Sequence, residues 1–241
     1  MVTIKDRIEA TRERMAESAS RIGRDVSGIK LLAVTKTRTV EEMLEAVPFV
    51  DGFGENRVQE AASKKQDWPA SIETEWRMVG HLQSNKVRKA IVLFDSLDSV
   101  DSEGIARATE RIAAEDNRII PVLLEVNTSG EANKTGAAPK DFPALLDCVL
   151  ECRHLRLDGL MTIGPLVSMD RIVGFARQRF AKQALVRDAF SMLRAMAEDA
   201  RRRSGLSLPV LSMGMSDDFE LAIAEGSTMV RIGTSLFGPR T

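Results

Sequence analysis

Residues 31–37 read Leu-Leu-Ala-Val-Thr-Lys-Thr, an apolar run that stops on a lysine. Such a run has the length and composition of a buried strand, and Lys36 falls where the chain must turn. A lysine there is ordinarily a solvated surface charge. Its meaning depends on what recurs along the chain. Extended by one residue at its start and ending on the lysine, the run is the first of eight strand candidates: KLLAVTK (30–36), VDGFGEN (50–56), EWRMVGH (75–81), VLFDSLD (92–98), IIPVLLEVN (119–127), RLDGLMTIG (156–164), PVLSMG (209–214) and TMVRIG (228–233). Helical spacings lie between them. They are carried by Val40, Met43, Leu44 and Val47, then residues 56–66, then Val87, Ala90 and Ile91, then Ile105, Ala108 and Ile112, then Phe142, Leu145, Leu146 and Val149. A charged amphipathic stretch over 170–204 fills the sixth gap, and Phe219, Ala222 and Ile223 the seventh. A further helix, marked by Ile4, Ile8, Met15, Ala19 and Ile22, precedes the first strand.

Short strands alternating with helices require right-handed crossovers and a parallel sheet. Eight such units predict an α/β fold, a closed (β/α)8 TIM barrel with an extra N-terminal helix. An open doubly wound sheet is the alternative, but no Gly-x-Gly-x-x-Gly follows the first strand. No segment rich in Gly, Pro or Ser divides the chain, so residues 1–241 are expected to form a single domain.

Composition narrows the function. With 44% hydrophobic and 29% charged residues and a net charge of −1, the chain resembles ordinary globular proteins and carries no overall electrostatic footprint for nucleic acid. No run approaches the roughly 18 apolar residues of a membrane-spanning helix, and the first residues alternate charged with apolar positions, unlike a secretory leader. A cytoplasmic monomer that binds neither nucleic acid nor membrane is expected. Cys148 and Cys152, four apart in a helical stretch, are expected to be reduced thiols. With only His81 and His154 beside them, a zinc site lacks ligands. Arg201–Arg203 suit a helix C-terminus.

In a barrel of this kind the chemistry lies at the C-terminal strand ends. Those ends carry Lys36, residues 54–57, residues 81–85, Asp98, residues 127–130, residues 162–164, residues 212–216 and residues 231–234, mostly polar or glycine. After the seventh strand Gly214 allows a tight turn, and Ser216 is expected to be the N-cap of the next helix. After the eighth, Gly233 and Thr234 open a short helix. Two such turns on adjacent strands predict a phosphate cradle, with Asp217 and Asp218 counting against it unless they point away. Opposite that cradle, a partly desolvated Lys36 is suited to form a Schiff base with a carbonyl. The ligand is then an aldehyde carrying a phosphate, a description met by pyridoxal 5′-phosphate and by a phosphosugar on a Schiff-base aldolase.

LLAVTKT, FGENRVQE, WRMVGHLQSNK, VNTSGEANKTG, GLMTIG and SMGMSDDFELAIAEGSTMVRIGTSLFG, taken in order over nearly the whole chain, resemble the pyridoxal phosphate homeostasis protein family, whose barrel is like the N-terminal domain of alanine racemase. The resemblance implies that Lys36 carries the internal aldimine, that Arg231 faces the pyridine nitrogen, and that Ser216, Gly233 and Thr234 hold the phosphate. It places Asn56, His81 and Ser84 at the mouth. It further implies vitamin B6 homeostasis, with the cofactor buffered or delivered, apoenzymes among the partners, and no substrate turnover. A racemase-like enzyme is the alternative. Racemisation needs a base on each face of the α-carbon, and in the resembling racemases the second is a tyrosine from another domain. This chain has no tyrosine and is expected to lack that domain.

Several of these residues have plainer roles available. Asn56 and Arg57 suit capping of the second helix, His81 suits a core position satisfied by a backbone carbonyl, and Glu55 and Glu60 suit solvent or neighbouring basic residues. The methionines are expected in the core, with Met213 and Met215 flanking the phosphate turn.

Overall fold

A computed structural model describes residues 2–165 and 175–239. Eight parallel strands close on themselves in sequence order: β1 (Lys30–Val34), β2 (Gly52–Glu55), β3 (Trp76–Met78), β4 (Ser96–Val100), β5 (Ile120–Glu125), β6 (Leu155–Met161), β7 (Val210–Ser212) and β8 (Met229–Ile232). Closure is made by β8 pairing with β1, Ala33 opposite Ile232. The expected barrel is the observed one. β4 is the strand placed differently. Val92 and Leu93 belong to the preceding helix, which ends where Phe94 N–H reaches Ala90 O at 2.9 Å, and the strand begins at Ser96. An apolar run fits either period, and the helical pattern begun at Val87 prevails.

The helices are α1 (Ile4–Ser20), α2 (Val40–Ala46), α3 (Val58–Asp67), α4 (Val87–Leu93), α5 (Glu103–Glu115), α6 (Phe142–Glu151), α7 (Phe175–Ser204), α8 (Phe219–Ala224) and α9 (Thr234–Phe237). The expected start of the sixth helix, residues 170–174, lies outside the described residues. α1 begins at a reciprocal cap in which the Thr3 hydroxyl accepts from Asp6 N–H and the Asp6 carboxylate from Thr3 N–H. Its Ile4, Ile8, Met15 and Ala19 form one buried stripe against α8, α9 and α2, so the extra helix fills the outer ring where the one-turn α9 leaves it open. No described helix is long and apolar enough to cross a membrane.

Strand residues alternate between two compartments. Outward residues such as Leu31, Ala33, Trp76 and Met78 join the main core under the helices. Leu32, Val79 and Met229 form a separate small cluster inside the barrel. Arg77, between Trp76 and Met78, therefore points inward. Its guanidinium grips Asp98 through two bonds, Nε to Oδ2 at 2.7 Å and Nη2 to Oδ1 at 2.8 Å, with Ser96 alongside. Asp98 is thus a buried strut within the barrel wall, below the strand end where the sequence places it. At Gly159 of β6 the β7 backbone leaves no room for a side chain, since a Cβ there would lie 1.9 Å from Val210 O.

Candidate functional site

At the C-terminal end of the barrel, a cavity of about 460 Å³ opens between the loops after β1, β6, β7 and β8. The β1–β8 register brings Lys36, two residues beyond β1, to the level of Gly233 and Thr234 beyond β8. Arg38 N–H closes a turn on Thr35 O at 2.9 Å, and Lys36 and Thr37 are its central residues. Across the cavity, the turn after β7 depends on Gly214, whose φ of 99° and contact distance of 2.6 Å from a built Cβ to Ala222 exclude a side chain. Asp218, not Ser216, holds the N-cap position of α8, and its Oδ1 turns back to accept Met215 N–H at 2.6 Å. Ser216 is thereby left on the cavity wall. The expectation that Ser216 caps the helix is corrected, because the carboxylate two residues later already closes the turn. α9 starts at Gly233, which has no side chain to cap it, and its backbone bonds begin with Leu236 N–H to Gly233 O. The N–H groups of the first turn are left for another acceptor.

Arg231 rises from the floor. It is buried, and it donates to Ser212 Oγ and Thr162 O, each at 2.8 Å. Burial lowers its basicity, and the carboxylates of Asp98, Glu125 and Asp218 oppose that shift. It remains a cation. Among the described residues, Lys36, Arg38, Lys182 and Arg231 face the cavity against Asp217 and Asp218, an excess of positive charge. Burial raises the Asp218 carboxyl above its ordinary value, and its hydrogen bond from Met215 N–H and the Arg231 cation pull the other way. A primary amine, two hydroxyls, uncapped N–H groups and a fixed cation around one space form a donor set that fits an aldehyde bearing a phosphate.

The structure brings Lys36, Ser216, Arg231, Gly233 and Thr234 together and sets Asn56 apart. Asn56 lines a second cavity of about 530 Å³ with Arg57, His81 and Lys86. Ser84 is exposed at the start of the one-turn 3-10 helix Ser84–Lys86. His81 is not a core histidine, since it lies in the loop beyond β3, half-exposed, with Nδ1 3.2 Å from Asp101 Oδ2. Nor does Glu55 face solvent. It is fully buried, and its Oε1 accepts Thr35 Oγ1–H and Lys64 Nζ–H, both at 2.6 Å. Lys64 also meets Glu60 Oε1 at 2.8 Å. Sequence reasoning missed Lys64, although Glu60 and Lys64 are four apart on α3, the spacing of a helical ion pair. Lys182 and the inward Glu125 were missed as well. Glu125 leaves its Oε2 without a hydrogen-bond partner among the described residues, and burial raises its carboxyl. Cys148 and Cys152 are both free, and burial pushes the Cys152 thiol up to about 11.

Residues 8–241 match the family model of the alanine racemase N-terminal domain. The pyridoxal phosphate homeostasis protein of Pseudomonas aeruginosa PAO1 is 40% identical over 241 residues, covering 100% of this chain and 97% of that one. The protein of the same name from Escherichia coli K12 is 36% identical over 243 residues, covering 100% and 98%. Among solved structures, PipY of Synechococcus elongatus PCC7942 with PLP bound superposes with a TM-score of 0.76 at 36% identity, over 93% of this chain and 100% of that one. On full-length similarity as well as on its barrel, this chain belongs to the pyridoxal phosphate homeostasis protein family.

Proposed function

We propose that this chain is a single pyridoxal 5′-phosphate-binding domain that takes the cofactor into the β1/β8 cavity with Lys36 as its covalent anchor, and that it buffers or delivers vitamin B6 without turning over a substrate. The observation that carries the proposal is the gathering of Lys36, Ser216, Arg231, Gly233 and Thr234 around one cavity. Relatives named for pyridoxal phosphate homeostasis and a PLP-bound structural neighbour support it. When bound, the cofactor supplies an aldehyde that condenses with a primary amine and a phosphate that needs N–H and O–H donors.

Each residue then has a task. Lys36 offers the amine from the β1 side. The Ser216 and Thr234 hydroxyls and the first N–H groups of α9 receive the phosphate, as helix N-termini do. Arg231, already braced by Ser212 and Thr162, presents a permanent cation to the ring nitrogen and disfavours its protonation. Asn56 lines a separate cavity with His81 and is given no part in holding the cofactor. For racemisation a second base is required opposite Lys36. The chain contains no tyrosine, and His81 lines the other cavity against Asp101.

Borohydride reduction of protein incubated with pyridoxal 5′-phosphate, followed by peptide mass mapping, tests the assignment. The label is expected on Lys36. A label mainly on Lys86 or Lys134 overturns it.

A further inference from the structure

The peptide groups on either side of Lys36 are held by one ionic network. On the N-terminal side, Thr35 O accepts Lys64 Nζ–H at 2.6 Å and Thr35 Oγ1–H donates to Glu55 Oε1 at 2.6 Å. On the C-terminal side, Thr37 N–H donates to Glu60 Oε1 at 2.5 Å. Lys64 joins the two halves by donating to both Glu55 and Glu60. Its three protons thus meet three acceptors, and nothing of its ammonium is left over. Thr37 takes φ 65°, a left-handed conformation rare for a β-branched residue, which persists only where the surroundings impose it.

We propose that Lys64, with Glu55 and Glu60, is a positioning device for Lys36, fixing both flanking peptide groups so that the Lys36 amine is aimed into the cavity for capture of an aldehyde. The inference rests on the assignment of Lys36 as the cofactor anchor. Packing alone does not call for this network. The β1–β2 ladder already continues through Thr35 N–H to Gly54 O at 3.1 Å, and an apolar pair would join α3 to β2 without burying charge. Glu55 instead keeps Oε2 buried and without a hydrogen-bond partner among the described residues, a cost that a purely structural contact has no reason to retain. The geometry confines the turn at the one residue whose direction matters. Capture joins the neutral lysine nitrogen to the aldehyde carbon as C=N, and the aldehyde oxygen leaves as water with the two amine protons. Its rate therefore depends on where the amine points.

The test compares wild type with Lys64→Met, Lys64→Arg and Glu60→Ala in three measurements. These are the rate of pyridoxal 5′-phosphate capture by stopped-flow absorbance, the Kd of pyridoxamine 5′-phosphate, which has no aldehyde, and, in cofactor-free protein, acetylation of Lys36 relative to exposed Lys5 by acetic anhydride. Misplacement of a reacting group by about 1 Å costs on the order of 100-fold, so Lys64→Met and Glu60→Ala are expected to slow capture by at least about tenfold. Pyridoxamine 5′-phosphate should bind within about twofold of wild type, Lys36 acetylation should change relative to Lys5, and Lys64→Arg should recover part of the capture rate. If Lys64→Met does not fold, Glu60→Ala, which leaves the Lys64–Glu55 pair in place, decides alone. Wild-type capture rates in the folded variants overturn the proposal, as does an equal loss for both ligands, which marks general damage to the site. If wild-type protein captures the cofactor on another lysine, the anchor assignment fails. Lys36 acetylation in the cofactor-free variants then still decides whether the network positions that amine, with an unchanged ratio overturning it.

Discussion

Asp98→Ala removes the buried acceptor for Arg77 in the barrel wall. The wild-type carboxylate takes Arg77 Nε–H at 2.7 Å, Arg77 Nη2–H at 2.8 Å and Ser96 Oγ–H at 2.7 Å, with no solvent exposure. Three bonds to a charged group, at about 1.5–3 kcal/mol each, set an upper bound near 4.5–9 kcal/mol. Arg77 is not wholly abandoned. Its Nη1 keeps Glu75 Oε1 at 2.5 Å and its Nη2 keeps Ser96 Oγ at 3.0 Å. The expected loss is therefore about 3–5 kcal/mol, the cost of stripping one partner from a buried ion pair. Arg231 lies within the field of the same carboxylate, so the variant also leaves two buried guanidinium groups with less compensation. Urea denaturation followed by circular dichroism measures the loss as a shift in midpoint at constant slope. Replacing both partners, Arg77→Met with Asp98→Leu, should recover most of that loss, the remainder being what Arg231 and Glu75 give up with their counter-ions gone. A single-variant loss below about 1 kcal/mol, or a double variant as weak as the single, refutes the view that the pair matters because each charge is buried against the other.

Ser216→Ala and Thr234→Ala should each weaken pyridoxal 5′-phosphate binding by about 1–3 kcal/mol and leave unphosphorylated pyridoxal nearly unchanged; titration with both ligands checks this, and equal losses place the phosphate elsewhere. Protein carrying the cofactor should not racemise a single enantiomer of alanine or serine in deuterated water, because a missing positioned base forfeits about 10²–10⁴ in rate. Racemisation at ordinary turnover, abolished by His81→Ala, would promote the enzymatic alternative. Burial raises the Glu125 carboxyl above the ordinary glutamate value of 4.5, so the folded state binds the proton more tightly than the unfolded chain. Stability is therefore lost as pH rises through the window above 4.5, and Glu125→Gln should gain more Tm over wild type at pH 8 than at pH 5. An equal gain at both pH values contradicts the assignment.

Local pattern alone determined much of this protein. Eight apolar runs separated by helical spacings specify the barrel, and the ends of those runs place Lys36, Arg231, Gly233 and Thr234, because strand period and turn chemistry are properties of neighbouring residues. Ser216 was placed correctly on the wall for the wrong local reason, since only the folded turn shows Asp218 taking the cap position. Tertiary structure alone decided the fate of the charges on the strands. Arg77 and Asp98 are 21 residues apart in sequence, and Arg231 and Thr162 are 69 apart. A charged residue in a strand reads the same whether it meets solvent or a partner across the barrel. Closure turns one face of every strand into a narrow interior where an ion must find its counter-ion, and that choice also buried Glu55 on Lys64 and separated Asn56 and His81 from the Lys36 cavity.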